Sequence, residues 1–119
     1  MRVIMAGASR VKLGPEQIDS LLTEAGFQVT EFVCSCTKGV STSGERWAES
    51  RGIPIAHFPA ERTRYGRAAA PLRNVAMVRY AAQDDGGLVA VLGSAARNAW
   101  DLVSRARALG LKIHLVRDL

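Results

Sequence analysis

Apolar residues fall in short runs that alternate with helical stripes along the chain. Residues 3–6 are wholly apolar and run into Gly7, the pattern of a strand buried on both faces. Gly14 and Pro15 then open a helix, with proline at the first helical position. Ile18, Leu21, Leu22 and Ala25 recur at i, i+3, i+4 and i+7, one face of that helix, and Gly26 stops it. Residues 27–33 predict a second strand, 35–43 a polar loop, and 45–50 a short helix ended by Gly52. A third strand is expected over 53–58, closed by Pro59, then a long connection over 60–70 and a helix over 71–82. Residues 88–92 read as a strongly apolar fourth strand between Gly86-Gly87 and Gly93. A helix over 95–109, with Ala99, Leu102, Val103 and Ala106 on one stripe, leads through Gly110 to a last strand over 112–116.

Five strands separated by four helices imply right-handed crossovers. The expected fold is α/β: a Rossmann-like three-layer sandwich, an about five-stranded parallel sheet with helices on both faces. The two most apolar strands, 3–6 and 88–92, belong at its centre. With 119 residues and no internal repeat or linker, the whole of 1–119 reads as a single domain. No apolar run reaches the roughly 20 residues of a membrane helix. The opening apolar stretch is too short for a signal peptide, so no membrane partner and a cytoplasmic location are expected.

Charge changes this picture locally. The net charge is +5, from 13 Arg and 3 Lys against 11 acids, and Arg62, Arg64, Arg67, Arg73 and Arg79 cluster in a stretch without Asp or Glu. A local surplus of this kind attracts anions. Cys34 and Cys36 form a C-x-C pair, too tight for an ordinary disulfide between facing chains. A metal site needs more ligands than His57 and His114 add, so no metal and no cofactor are expected. Both histidines sit in apolar strands and read as packed structural residues.

In an open parallel sheet, ligands bind beyond the carboxyl ends of the strands. The first such loop holds Gly7, Ala8, Ser9 and Arg10: a close-approach glycine, a hydroxyl and a guanidinium suited to phosphate. The second is rich in hydroxyls and has Thr37, Lys38 and Gly39 ahead of a helix, where backbone N–H groups attract anions. Its spacing is not that of a Walker loop. Gly93 and Ser94 lead into the last helix and offer amides to a phosphate. No nucleophile–base arrangement stands out. Glu45 and Glu49, one helical turn apart near the loop mouth, are the only candidate acid–base pair.

Taken together, these segments resemble the YspA/YpsA-like branch of the SLOG superfamily. The likeness runs through the opening M-R-V-I-M-A-G-A-S-R, T-K-G-V-S-T-S-G-E-R-W-A at 37–48, G-I-P-I-A-H-F-P-A at 52–60 and R-Y-G-R-A-A-A-P-L-R-N at 64–74. It implies a Rossmann-like domain that binds nucleotides or nucleotide-derived ligands, with phosphoribohydrolases and nucleotide sensors among its relatives. Carried over by position, the implied contacts are Gly7, Ser9, Arg10, Lys38, Gly39, Arg73 and Asn74. Where the family usually has Gly-Gly this chain has Ser35-Cys36. Where it usually has Asp the chain has Ser41, and where it usually has Gly-Thr the chain has Asn98-Ala99. These departures turn the expectation from hydrolysis towards binding.

Three functions follow as expectations. The first is binding of a nucleotide or phosphorylated small molecule without turnover, for sensing or sequestration. The second is N-glycosidase activity of the phosphoribohydrolase kind, with Glu45 or Glu49 as the acid. Last ranks a nucleic-acid-binding module on the 62–79 arginine surface, because two Trp and two Tyr offer little base stacking. A homo-oligomer paired through helices is a further partner that the resemblance admits.

Overall fold

The computed structural model describes residues 1–92 and 97–117. In chain order its elements are β1 (Arg2–Gly7), α1 (Pro15–Ala25), β2 (Glu31–Cys34), α2 (Val40–Ser50) and β3 (Ile55–His57). There follow α3 (Arg62–Tyr65), a 3-10 turn (Gly66–Ala68), α4 (Ala69–Ala82), β4 (Gly86–Val91), α5 (Arg97–Ala108) and β5 (Lys112–Val116). The five strands form one parallel sheet in the order β3-β2-β1-β4-β5. The protein is thus an α/β three-layer sandwich of the Rossmann-like kind. Among the described residues no helix is long and apolar enough to cross a membrane.

The alternation of side chains along β1 builds the two cores. Val3 and Met5 face α1 and α2, where they meet Ile18, Leu21, Val40 and Trp47. Ile4 and Ala6 face the other way, onto Met77, Val78, Leu102 and Val103 of α4 and α5. Both faces of β4 and of residues 3–6 in β1 are therefore dry, which is why those stretches carry no polar residue to mark an outer face.

Several boundaries differ from the expectation, each for a local reason. The second strand begins at Glu31 rather than Phe27. Residues 28–30 instead tie to the chain start, with the Met1 ammonium donating to the Gln28 carbonyl and the Thr30 amide to Met1 O. β3 is confined to Ile55–His57, because the Ile53 amide closes the end of α2 on Ala48 O and Pro54 has no N–H. α2 starts at Val40, so half of the expected polar loop is helix. Its hydroxyls are spent internally: Thr42 Oγ1 donates to Thr37 O at 2.7 Å and Ser43 Oγ to Gly39 O at 3.1 Å. Gly44 lets this helix lie against the sheet, since a Cβ there would fall 2.6 Å from the Phe32 ring.

The connection over 60–70 contains α3 and the 3-10 turn, and α4 begins two residues before Pro71. Gly86 and Gly87 are strand residues, not a turn. A Cβ on Gly86 would meet Ala81 O at 2.7 Å. The last helix is described over Arg97–Ala108, and residues 95–96 lie outside the described residues. His57 is not a packed core histidine: β3 ends on it and its side chain is half exposed. His114, partly buried on the edge strand, faces Glu24 at 3.5 Å.

Candidate functional site

With the order β3-β2-β1-β4-β5, the connections leave β1 in one direction and β4 in the other. The gap between their carboxyl ends is the switch point of the sheet, where ligands of such folds bind. Gly7 closes β1 there. A Cβ on it would lie 2.8 Å from the Val91 carbonyl and also strike Val40, so this corner is too tight for any side chain.

The loop after β1 is fixed by α2. Leu13 N–H donates to Ser43 Oγ at 3.0 Å, and Val11 N–H turns back to Ala8 O. Gly39 precedes α2 with φ 90° and ψ −125°, a conformation that side chains rarely adopt. A Cβ on it would sit 2.8 Å from the Ser9 Cα. This close approach presses the loop after β1 against the start of α2. The loop after β2 is held by hydroxyls: Ser35 Oγ and Thr37 Oγ1 are 2.8 Å apart, and Ser35 Oγ donates to Ser41 Oγ at 2.9 Å.

Across the switch point stands Arg73 of α4, a buried side chain. Its Nη1 donates to the Ser35 carbonyl at 2.9 Å, Nε to Asn74 Oδ1 at 2.9 Å and Nη2 to Asn98 Oδ1 at 3.4 Å. All three acceptors are neutral. Burial, and then repulsion from the Arg62 guanidinium, pull the Arg73 pKa below the usual arginine value. Asn74 is buried beside it and donates both to Asn98 Oδ1 and to Asp101 Oδ2, at 2.8 Å each. Burial raises the Asp101 carboxyl, but hydrogen bonds from Arg105 and Asn74 outweigh it and hold the group below 3.8. Asp101 is thus a neighbour once removed: it orients the amides that orient Arg73.

These elements enclose a cleft of about 230 Å³. Gly7, Ala8 and Ser9 form one wall, Thr37 and Lys38 a second, and Arg62, Ala70, Arg73 and Asn98 the third. The described lining holds three cationic side chains and no carboxylate. The amino end of α2 opens beside Thr37 and Lys38, and helix N-termini favour anions. A second cleft of about 340 Å³ adjoins the first through Arg73, which lines both.

Five of the residues singled out from the sequence meet in the basic cleft: Gly7, Ser9, Thr37, Lys38 and Arg73. Gly39 shapes it from behind, and Asn74 supports it through Asn98. Arg10 is exposed and outside its lining. Gly93 and Ser94 lie outside the described residues. Glu45 lines neither cleft: its Oε1 is 3.4 Å from His57 Nε2 and its Oε2 accepts from the Cys34 thiol at 3.4 Å. Glu49 is exposed on the same helix. Burial pushes the Cys34 thiol up to about 12, so it is protonated at neutral pH and no nucleophile. Cys36, also a free thiol, is exposed.

Two contributors were missed as site residues. Arg62 belongs to the acid-free arginine stretch, so a signal for it existed. Asn98 was noted only as a departure from the family pattern, because its role depends on α5 packing against α4. No known protein family, curated protein or solved structure matches the chain.

Proposed function

We propose that this protein binds a nucleotide or another phosphorylated small molecule, its phosphate seated in the basic cleft at the switch point. The observation that carries the reading is Arg73: a buried guanidinium that, among the described residues, bonds only to neutral oxygens, beside Lys38 and Arg62, with no described carboxylate in the lining. A buried charge without a counter-ion is costly, and an arriving anion would offset that cost. Bidentate recognition of phosphate is also the chemistry for which arginine is suited. The resemblance to the SLOG superfamily points the same way.

Binding without turnover fits the site better than glycoside cleavage. Cleavage of an N-glycosidic bond calls for an acid or base facing the ligand, and Glu45 and Glu49 stand outside the cleft. The two free thiols suit a reducing, cytoplasmic setting.

Isothermal titration with nucleoside mono-, di- and cyclic phosphates, ADP-ribose and inorganic phosphate tests this. Saturable heat that disappears in Arg73→Met is the expected result. Folded protein that gives no heat with any of them would sink the proposal. Release of free base from a nucleoside monophosphate would move the assignment to a phosphoribohydrolase.

A further inference from the structure

The connection between β3 and α4 is held at its two ends and not in between. On one side the Phe58 amide donates to the Cys34 carbonyl at 2.8 Å, and the Phe58 ring lies 5.4 Å from that of Tyr80. On the other, Ala69 is buried at the start of α4. Every residue from Glu61 to Ala68 is exposed, and neither α3 nor the 3-10 turn buries a side chain. Helices in proteins draw most of their stability from a packed face, so a four-residue helix without one is marginal.

The bonds of this stretch close on itself. The amides of Arg62, Arg64 and Tyr65 donate to the carbonyls of Ala60 and Glu61. Glu61 pairs with Arg64 at 3.9 Å, between side chains 61% and 73% exposed, an ion pair worth little in water. The Arg64 guanidinium also lies over the Tyr65 ring. Among the described residues, no side chain from 61 to 68 forms a hydrogen bond or ion pair with the rest of the protein. Gly66, between α3 and the 3-10 turn, has φ 55° and ψ −124°, a conformation open to glycine and little else, and a Cβ there would meet nothing. It is a pivot free of neighbours.

This loosely held stretch nevertheless carries two residues to the site. Arg62 lines the basic cleft and Tyr65 the adjoining one. Burial first and Arg62 second lower the Arg73 pKa, so the two guanidinium groups repel each other across the cleft. An anion between them turns that repulsion into a shared attraction. It therefore favours the arrangement with Arg62 drawn in, and a ligand shifts a two-state element only through such a difference.

We infer that residues 61–68 are a strap, pivoting at Gly66, that closes over the basic cleft when an anion is seated and draws Arg62 onto it. Without the anion the strap stands open to water. The inference rests on the phosphate-binding reading above and adds to it a moving part that governs entry and release.

The test is limited trypsin digestion of the full chain in inorganic phosphate and in sodium chloride of equal ionic strength, with mass analysis of the fragments. Isothermal titration fixes the phosphate concentration that saturates each protein. Cleavage after Arg64 and Arg67 should be rapid in chloride and about tenfold slower in saturating phosphate, since cleavage of a native chain follows its open population. Cleavage after Arg107, exposed in the last turn of α5, should change by less than about twofold. Arg62→Ala, at an exposed position, should stay folded by circular dichroism and lose the protection at Arg64 and Arg67 at its own saturating phosphate. Titration heat without protection of those two bonds overturns the strap and leaves the phosphate site standing. Equal slowing at Arg107, or protection that survives in Arg62→Ala, does the same. If phosphate gives no heat, the phosphate site falls and the strap with it.

Discussion

Arg73 Nη1 donates to the carbonyl oxygen of Ser35 at 2.9 Å, joining α4 to the turn after β2 across 38 residues of chain. The bond crosses from one helical layer to the end of the sheet. It stations a cation at the switch point while giving a partner to the carbonyl of a buried residue.

That placement makes the protein's stability sensitive to anions. Inorganic phosphate should raise the melting temperature, since a ligand that binds only the folded state adds about 2.7 kcal/mol at a hundredfold excess over Kd. Arg73→Met should weaken phosphate binding about tenfold or more, the loss expected from charge-assisted hydrogen bonds. It should also flatten the melting temperature against phosphate. A slope equal to that of the unaltered protein would place the anion elsewhere.

Gly39 and Gly52 both have positive φ but differ in surroundings. A Cβ on Gly52 meets nothing, whereas one on Gly39 meets the backbone of Ala8 and Ser9. Gly52→Ala should therefore cost about 1 kcal/mol, the backbone strain alone. Gly39→Ala should cost about 3 kcal/mol, because overpacking against the first loop adds to the strain. It should weaken ligand binding too, by moving that loop. Urea unfolding of the two variants compares them directly, and equal costs would remove the close approach from the account.

The two cysteines should behave differently. Cys36 is exposed and should react with a thiol reagent in the folded protein, while Cys34 should react only on unfolding. Labelling followed by peptide mass analysis reads this. The Cys34 thiol is raised from 9.0 to about 12, chiefly by burial. Its protonated form is thus the one that folding favours. The corresponding stability is complete below the ordinary thiol pKa and is lost as pH rises towards the folded value. Cys34→Ala should show a shallower loss of stability between pH 9 and 12 than the parent.

Asp101 acts on the opposite side of the pH scale. Hydrogen bonds from Arg105 and Asn74 overcome the upward effect of burial and leave its pKa lowered. Its contribution is present above 3.8 and is lost as pH falls through the lowered folded value. Asp101→Asn should unfold with a weaker acid dependence, and it should loosen the Asn74–Asn98 pair that supports Arg73. Acid titration followed by circular dichroism detects the first effect, and a rise in phosphate Kd of a few-fold the second. An unchanged acid limb would mean that Asp101 is not the titrating group.

The fold was legible in the sequence because its signals are local. A run such as residues 3–6, buried on both faces, admits no polar residue, and a stripe such as Ile18, Leu21 and Leu22 has one helical face to bury. Boundaries were less legible where a side chain served the backbone. The hydroxyls of Thr42 and Ser43 looked like a loop and instead lie in the first turn of α2, donating to the carbonyls of Thr37 and Gly39. His57 looked like a core residue because its strand neighbours are apolar, yet β3 ends on it.

The sequence alone determined the alternation of strands and helices, hence a parallel sheet, and it identified Gly7, Ser9, Lys38 and Arg73 as candidates for one anion. Only the tertiary structure decided that β1 and β4 are neighbours, that Arg73 reaches Ser35 and Asn98, and that Glu45 turns to His57 rather than to the cleft. The reason is physical. Hydrophobic periodicity records which face of each element is dry, whereas a binding site depends on contacts between loops far apart in the chain, and no local pattern encodes them.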